Sequence, residues 1–244
     1  MKDSFIKFKE KTKRDNEKKF KITWYFASLF SKPCSYIFYR FGFNANQVTI
    51  LFFIVGLIGA FMILLNTPLF IIISYLLFRL HLIFDLSDGD LARYYKSYSV
   101  KGAYMDYMIH SILYPLYTIN VSIICYMNFS NTKFLFFGLA LSFLQSLILA
   151  SKNTYLRAFH QSKVNTESKS NIFNSDLSKI KSYIINISAD ILSIEGFLFG
   201  FMFLYIIDIE YLLIPFFFIY VIVFTILFIT KTYLSLNNKS YKKN

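Results

Sequence analysis

The chain has 244 residues, 56% of them hydrophobic and 20% aromatic, and its 26 Lys and Arg against 14 Asp and Glu give a formal net charge of +12. A soluble helical domain shows its apolar residues as a stripe at 3.6 spacing. Here runs such as VTILFFIVGLIGAFMILL (48–65) and YLLIPFFFIYVIVFTILFI (211–229) have almost no polar stripe, and they match the roughly 20 residues needed to cross a bilayer. A soluble protein is thereby excluded, and an all-α, polytopic membrane protein is predicted.

The N-terminal stretch MKDSFIKFKEKTKRDNEKKF is too charged to be a signal-peptide core. In the following WYFASLFSKPCSYIFYRFGF, aromatic residues mingle with Lys32 and Arg40. Aromatic rings and long basic side chains both sit well at the headgroup level. The pattern predicts an amphipathic interfacial helix, broken near Pro33, lying on a leaflet of anionic lipid. Residues 1–44 form this basic segment, 45–236 a transmembrane domain, and 237–244 a tail.

Six transmembrane helices are predicted, near 47–66, 69–95, 102–128, 133–157, 183–207 and 211–234. Asn66-Thr67-Pro68 and the stretch from Asn128 to Lys133 supply turn signals, and His160 to Lys181 reads as the longest loop. With six spans, nearly all Lys and Arg fall on one side, eleven of them before residue 44. The positive-inside rule then puts both termini in the cytoplasm, in an inner or cytoplasmic membrane. Because the basic residues sit where topology requires them, nucleic acid is not a predicted partner. Cys34 and Cys125 lack metal-type spacing, and neither a disulfide nor a metal site is inferred from them.

The segment FDLSDGDLARYYKSYSVKGAYMDYMIH (84–110) carries the chemistry. Asp85 and Asp88 are three residues apart on one helical face. Asp106 lies near the start of the next helix, with His110 one turn further along the same face. A short link near 95–101 makes the two helices antiparallel neighbours, so three carboxylates converge just inside the cytoplasmic boundary. Such charges repel in a low-dielectric setting unless paired. Divalent ions such as Mg²⁺ relieve this, since they prefer carboxylate oxygens and bridge to substrate phosphates. Gly89 and Gly102 permit a close approach, and Arg93 offers a planar fork for phosphate oxygens. The plainer alternative is a set of solvated acids neutralised by Arg93, Lys96 and Lys101.

The spacing Asp85-x-x-Asp88-Gly89-x-x-Ala92-Arg93, eight residues, Gly102-x-x-x-Asp106-x-x-x-His110 resembles the signature of the CDP-alcohol phosphotransferase family, D-x-x-D-G-x-x-A-R-x8-G-x3-D-x3-D. Seven of its eight fixed positions are met. Asn46-Gln47-Val48-Thr49 is similar to the Pro-Asn-x-x-Thr often opening the first span, with Ala45 in place of proline. The resemblance implies a transferase that cleaves a CDP-linked donor, passes the substituted phosphoryl group to an acceptor alcohol and releases CMP. It implies two Mg²⁺ or Mn²⁺ ions held by Asp85, Asp88 and Asp106, with Asp106 bridging. It also implies a nucleotide site of Asp85, Gly89, Ala92, Arg93 and Gly102, and a homodimer. The helix-contact pattern Gly196-x-x-x-Gly200 agrees with the dimer.

His110 stands where the family has its last Asp, the residue implied to take the acceptor's proton. An imidazole of unperturbed pKa about 6.5 can be a general base at neutral pH. Three readings are open: base, metal ligand, or mark of lost activity. A working enzyme with Asp106 and His110 in the catalytic roles is expected. Lys152 and Arg157 are candidates for binding an anionic acceptor, with snorkelling to the interface as the alternative. One of Asp190 and Glu195 is a candidate for the alcohol pocket, Asp90 is expected to be solvated, and Arg79 and His81 receive no role. The donor is CDP-diacylglycerol or another CDP-alcohol, with the lipid on either substrate. A divalent-cation or proton-coupled transporter using the same acids is the alternative class.

Overall fold

The computed structural model describes residues 3–14, 22–161 and 193–236. Among these residues there are eight α-helices, two short 3-10 turns and no strand. The order is α1 (Phe5–Lys11), α2 (Ile22–Phe41), α3 (Ala45–Met62), α4 (Pro68–Tyr95), α5 (Val100–Phe129), α6 (Lys133–Gln161), α7 (Ile194–Ile206) and α8 (Leu213–Leu236). The expected tail 237–244, most of the loop expected over 160–181, and Asp190 lie outside the described residues.

Local chemistry sets the boundaries nearest the site. At the end of α2, Gly42 takes φ +83. Its N–H donates to Tyr39 O (3.1 Å) while the Phe43 N–H donates to Phe38 O (3.0 Å), a Schellman closure. Two residues later Asn44 opens α3 with a capping box: its side chain accepts from the Gln47 N–H, and its own N–H donates to the Gln47 side chain, both at 2.9 Å. Thr67 caps α4, with Pro68 in the first turn, where its missing N–H costs nothing. Lys96, in the left-handed region, ends α4, and Ser99 caps α5 by accepting from the Gly102 N–H at 3.0 Å. The α4–α5 link is therefore only residues 96–99, and the two helices run antiparallel.

α3, α4, α5, α6 and α8 are each long and apolar enough to cross a membrane. α7 is apolar but has 13 residues, shorter than the roughly 20 a perpendicular span requires. It overlaps the span predicted over 183–207, whose first ten positions lie outside the described residues. Lipid has no water to satisfy backbone polar groups, and helices bond theirs internally. α3 shows an exposed row of Ile50, Ile54, Ile58 and Phe61, and α6 one of Phe136, Leu139 and Phe143, as lipid-facing surfaces should. Inside, Phe78, Tyr117, Phe134, Phe197, Phe201 and Phe217 are almost fully buried in one shared core.

Small residues and interhelical hydrogen bonds join the spans, as is common in bilayers. A side chain at Gly59 would run into Tyr117, and one at Gly138 into Ser122. Ser74 donates to Gly59 O (2.6 Å), Asn120 donates to Ala60 O (2.8 Å), and Thr118 pairs with Gln145 (3.1 Å).

One expectation needs correcting, and a second gains a contact within the chain. The N-terminal helix is not broken near Pro33; α2 runs through it. One lost N–H is tolerated because Ala27, Ser31, Ser35, Phe38 and Tyr39 are buried along α2, and packing outweighs local propensity. Gly200, the second glycine of Gly196-x-x-x-Gly200, serves a contact within the chain: a Cβ there would lie 2.7 Å from the Phe216 ring of α8. For Gly200 the close approach is therefore to α8 of the same chain.

Candidate active site

On α4, the 3.6 period places Asp85, Asp88, Gly89, Ala92 and Arg93 on one side of the helix; on α5, it aligns Gly102, Asp106 and His110. A cavity of about 530 Å³ lies where these faces meet the start of α3. Asp88, Gly89, Ala92, Arg93, Gly102 and Asp106 line it, together with Asn46 and Thr49 of α3 and the first turn of α5. Its volume falls within the usual range for ligand pockets. The N–H groups of an N-terminal turn carry partial positive charge, which favours an anion beside Ser99 and Val100.

Asp85 and His110 lie off the cavity wall, beyond Asp106. Nε2 of His110 is 3.1 Å from Asp106 Oδ1 and 3.7 Å from Asp85 Oδ1. One ligand atom from each of Asp85, Asp106 and His110 lies within 4.8 Å of the others, a group able to hold a metal ion. His110 Nδ1 is buried with no hydrogen-bond partner among the described residues. Carboxylates gathered this closely in a low-dielectric setting repel one another, and a bound cation removes that cost. The residues present therefore fit a divalent metal. The His110 ring packs between Phe52 (centroids 6.0 Å apart) and Tyr114 (5.0 Å), with His81 5.5 Å away.

Asp88 stands outside that group of three. Its Oδ2 accepts from the Thr49 hydroxyl at 2.6 Å, and Thr49 also bonds Ala45 O. Sequence reasoning noted Thr49 only as part of a similar opening motif and missed this contact, which spans 39 positions. Gly102 keeps this approach open: a Cβ there would be 3.2 Å from Ser99 Oγ and 3.4 Å from Asn46 Oδ1, tighter than ordinary contact.

Asp90 is not solvated, contrary to expectation. It is fully buried and is held by Arg14, Lys32, Ser35 and Arg93. Two of those cations lie far away in sequence, so nothing local announced the pairing. Burial pushes the Lys32 ammonium below its ordinary pKa; the Asp90 carboxylate opposes that shift, and Arg14 adds to it. Glu195 pairs with Arg79 at 2.6 Å and ties α7 to α4. His81 is buried, with Nδ1 3.3 Å from Phe52 O. Lys152 and Arg157 sit on the last turns of α6, but their side chains lie outside the described residues.

Membrane-crossing helices around a cavity lined by Asp88 and Asp106, with a metal-competent group that Asp106 shares with Asp85 and His110, define an integral membrane protein with a candidate active site between α3, α4 and α5. The family model for CDP-alcohol phosphatidyltransferase matches residues 43–194, and the chain belongs to that family. It is accordingly a transferase of substituted phosphate groups, acting between a CDP-alcohol and an acceptor alcohol in the membrane. Family membership sets aside the transporter alternative. No curated protein matches the chain.

Proposed function

We propose that the chain catalyses CMP-releasing transfer of a substituted phosphoryl group from a CDP-linked donor to an alcohol, making a phospholipid or a lipid-linked product. The observation that carries this reading is the meeting of six signature residues around one cavity of about 530 Å³. The donor's pyrophosphate lies in that cavity between Arg93 and the first turn of α5. Gly89, Ala92 and Gly102 leave room for the cytidine nucleotide. Asp85, Asp88 and Asp106 would hold two Mg²⁺ or Mn²⁺ ions. When bound, such ions neutralise charge on the pyrophosphate and its leaving group.

His110 takes the proton from the acceptor hydroxyl as that oxygen attacks phosphorus, while the bond from phosphorus to the CMP oxygen breaks. Asp106, 3.1 Å from His110 Nε2, orients the ring and stabilises the imidazolium that forms. A second reading, His110 as metal ligand, is favoured by its place within 4.8 Å of the Asp85 and Asp106 oxygens. Lys152 and Arg157 are the candidates for an anionic acceptor. The site and both termini face the cytoplasm by the distribution of basic residues. Assembly as a homodimer rests on the family resemblance alone.

The test is CMP release by purified protein, with CDP-diacylglycerol and soluble CDP-alcohols offered against a panel of alcohols. Metal-dependent release from one pair, lost in Asp106→Asn, is expected; protein that neither releases CMP nor binds CDP would overturn the reading. His110→Ala separates the two roles. Loss of a base lowers kcat by about 10²–10⁴-fold at an unchanged metal activation constant. Loss of a ligand raises that constant.

A further inference from the structure

The residue after Gly89 turns its side chain away from the cavity and into protein. Asp90 receives Arg14 Nε (3.0 Å) and Lys32 Nζ (3.1 Å) at Oδ1, and Arg14 Nη2 (2.6 Å) and Ser35 Oγ (3.1 Å) at Oδ2. Arg93 Nη2 adds a fifth donor to Oδ1 at 2.6 Å. A carboxylate has about four lone-pair sites, so this one is saturated. Desolvation of a buried ion cluster offsets most of its Coulomb gain, and three cations around one anion make a poor device for stability alone.

What the cluster does fix is Arg93. Its guanidinium is tethered at one end by Asp90 and lines the substrate cavity. Gly89 lies against it: a Cβ there would be 3.5–3.6 Å from both terminal nitrogens. Arg93 Nε is buried and has no hydrogen-bond partner among the described residues. Arg14 in turn is anchored to Ser31 Oγ (2.9 Å) and Leu86 O (3.2 Å). The brace thus reaches outside residues 43–194, into the N-terminal segment that the family match does not cover.

We propose that Asp90 is a positioning residue of this transferase: braced by Arg14 and Lys32, it holds the Arg93 guanidinium at the cavity wall, ready for the donor's pyrophosphate. The proposal rests on the reading of Arg93 as a donor-binding residue. A side chain as flexible as arginine loses rotamer freedom when it binds; a preset one loses less and binds more tightly. The surplus positive charge of the cluster also suits a pyrophosphate diester, which carries two negative charges.

The experiment is calorimetric titration of CDP, with Mn²⁺ present, into the full chain and its Arg93→Ala, Asp90→Asn and doubly substituted forms. Each single change is expected to weaken CDP by about tenfold, and the double change by about the same tenfold, because Asp90 acts through Arg93. A double variant weakened by the product of the two factors would overturn the proposal, as would Asp90→Asn with wild-type CDP affinity or with a parallel loss of Mn²⁺ binding. Unchanged affinity in Arg93→Ala would instead sink the donor-site reading, and this inference with it. If Asp90→Asn does not fold, Arg14→Ala takes its place in the same cycle, with the same expected non-additivity.

Discussion

At the scale of single residues, Thr49 and Asp90 show how a signature is supported by groups outside it. Thr49 presents Asp88 through a 2.6 Å hydrogen bond from a different helix. Thr49→Val keeps the shape and removes the donor, leaving a carboxylate oxygen free to turn. Hydrogen bonds to charged groups are worth about 1.5–3 kcal/mol. CMP release should fall by about tenfold or more, with the metal activation constant rising; an unchanged constant would mean that Asp88 needs no such support. Neither contact was legible in the sequence. Asp85, Asp88, Asp106 and His110 could be placed because their spacing is short-range and periodic. Asp90 fails that test: its partners Arg14 and Lys32 lie 76 and 58 positions away. Only tertiary packing brings them together.

Among the helices, close approach and capping fix how the site is framed. Gly138 faces Ser122 so tightly that any side chain collides. Gly138→Val should part α5 from α6 and destabilise by about 1–3 kcal/mol, read as a lower melting temperature in detergent. The helix boundaries near the site were largely readable, because Asn44, Gln47, Pro68 and Gly42 act within a few residues of their own position. Pro33 misled, since α2 is held by what it buries against α4. α1 is a further case of long-range fixing. Phe8 is fully buried against Tyr39 and Tyr94 (5.2 and 5.0 Å). Asp3 accepts from Lys11 and from the Tyr94 hydroxyl, and donates its N–H to Tyr39. Lys11, Tyr94 and Lys7 hold the Asp3 carboxyl below its ordinary value of 3.8. This tie is therefore complete above that pH and fades only as pH falls below it. Hydrogen exchange across residues 3–14 should be equally slow at pH 7 and pH 5 once corrected for intrinsic rate, and Asp3→Ala should raise it at both. An Asp3→Ala chain with unchanged protection would assign the docking to Phe8 alone.

Across the whole molecule, the proposed function depends on a divalent cation held by the acids of the site. Chelation with EDTA should abolish CMP release, and Mg²⁺ or Mn²⁺ should restore it; activity that survives exhaustive chelation would count against the metal assignment. The lipid-facing surface was readable from composition, since runs without a polar stripe have nowhere else to lie. The number of spans was less so: α7 has 13 described residues, and an apolar run does not state where its helix begins.

The brevity of the link at residues 96–99 has a consequence for how the enzyme is made. Every proposed ligand and nucleotide-contacting residue, from Asn46 to His110, belongs to three successive helices. The order of synthesis therefore delivers the proposed metal and nucleotide residues to the membrane before α6, with its acceptor candidates Lys152 and Arg157, and before α7 and α8. Contacts between neighbours along the chain form with little loop-closure entropy to overcome. The later helices then close a core around a centre already laid out, and Glu195, arriving late to meet Arg79, fastens the last part to the first.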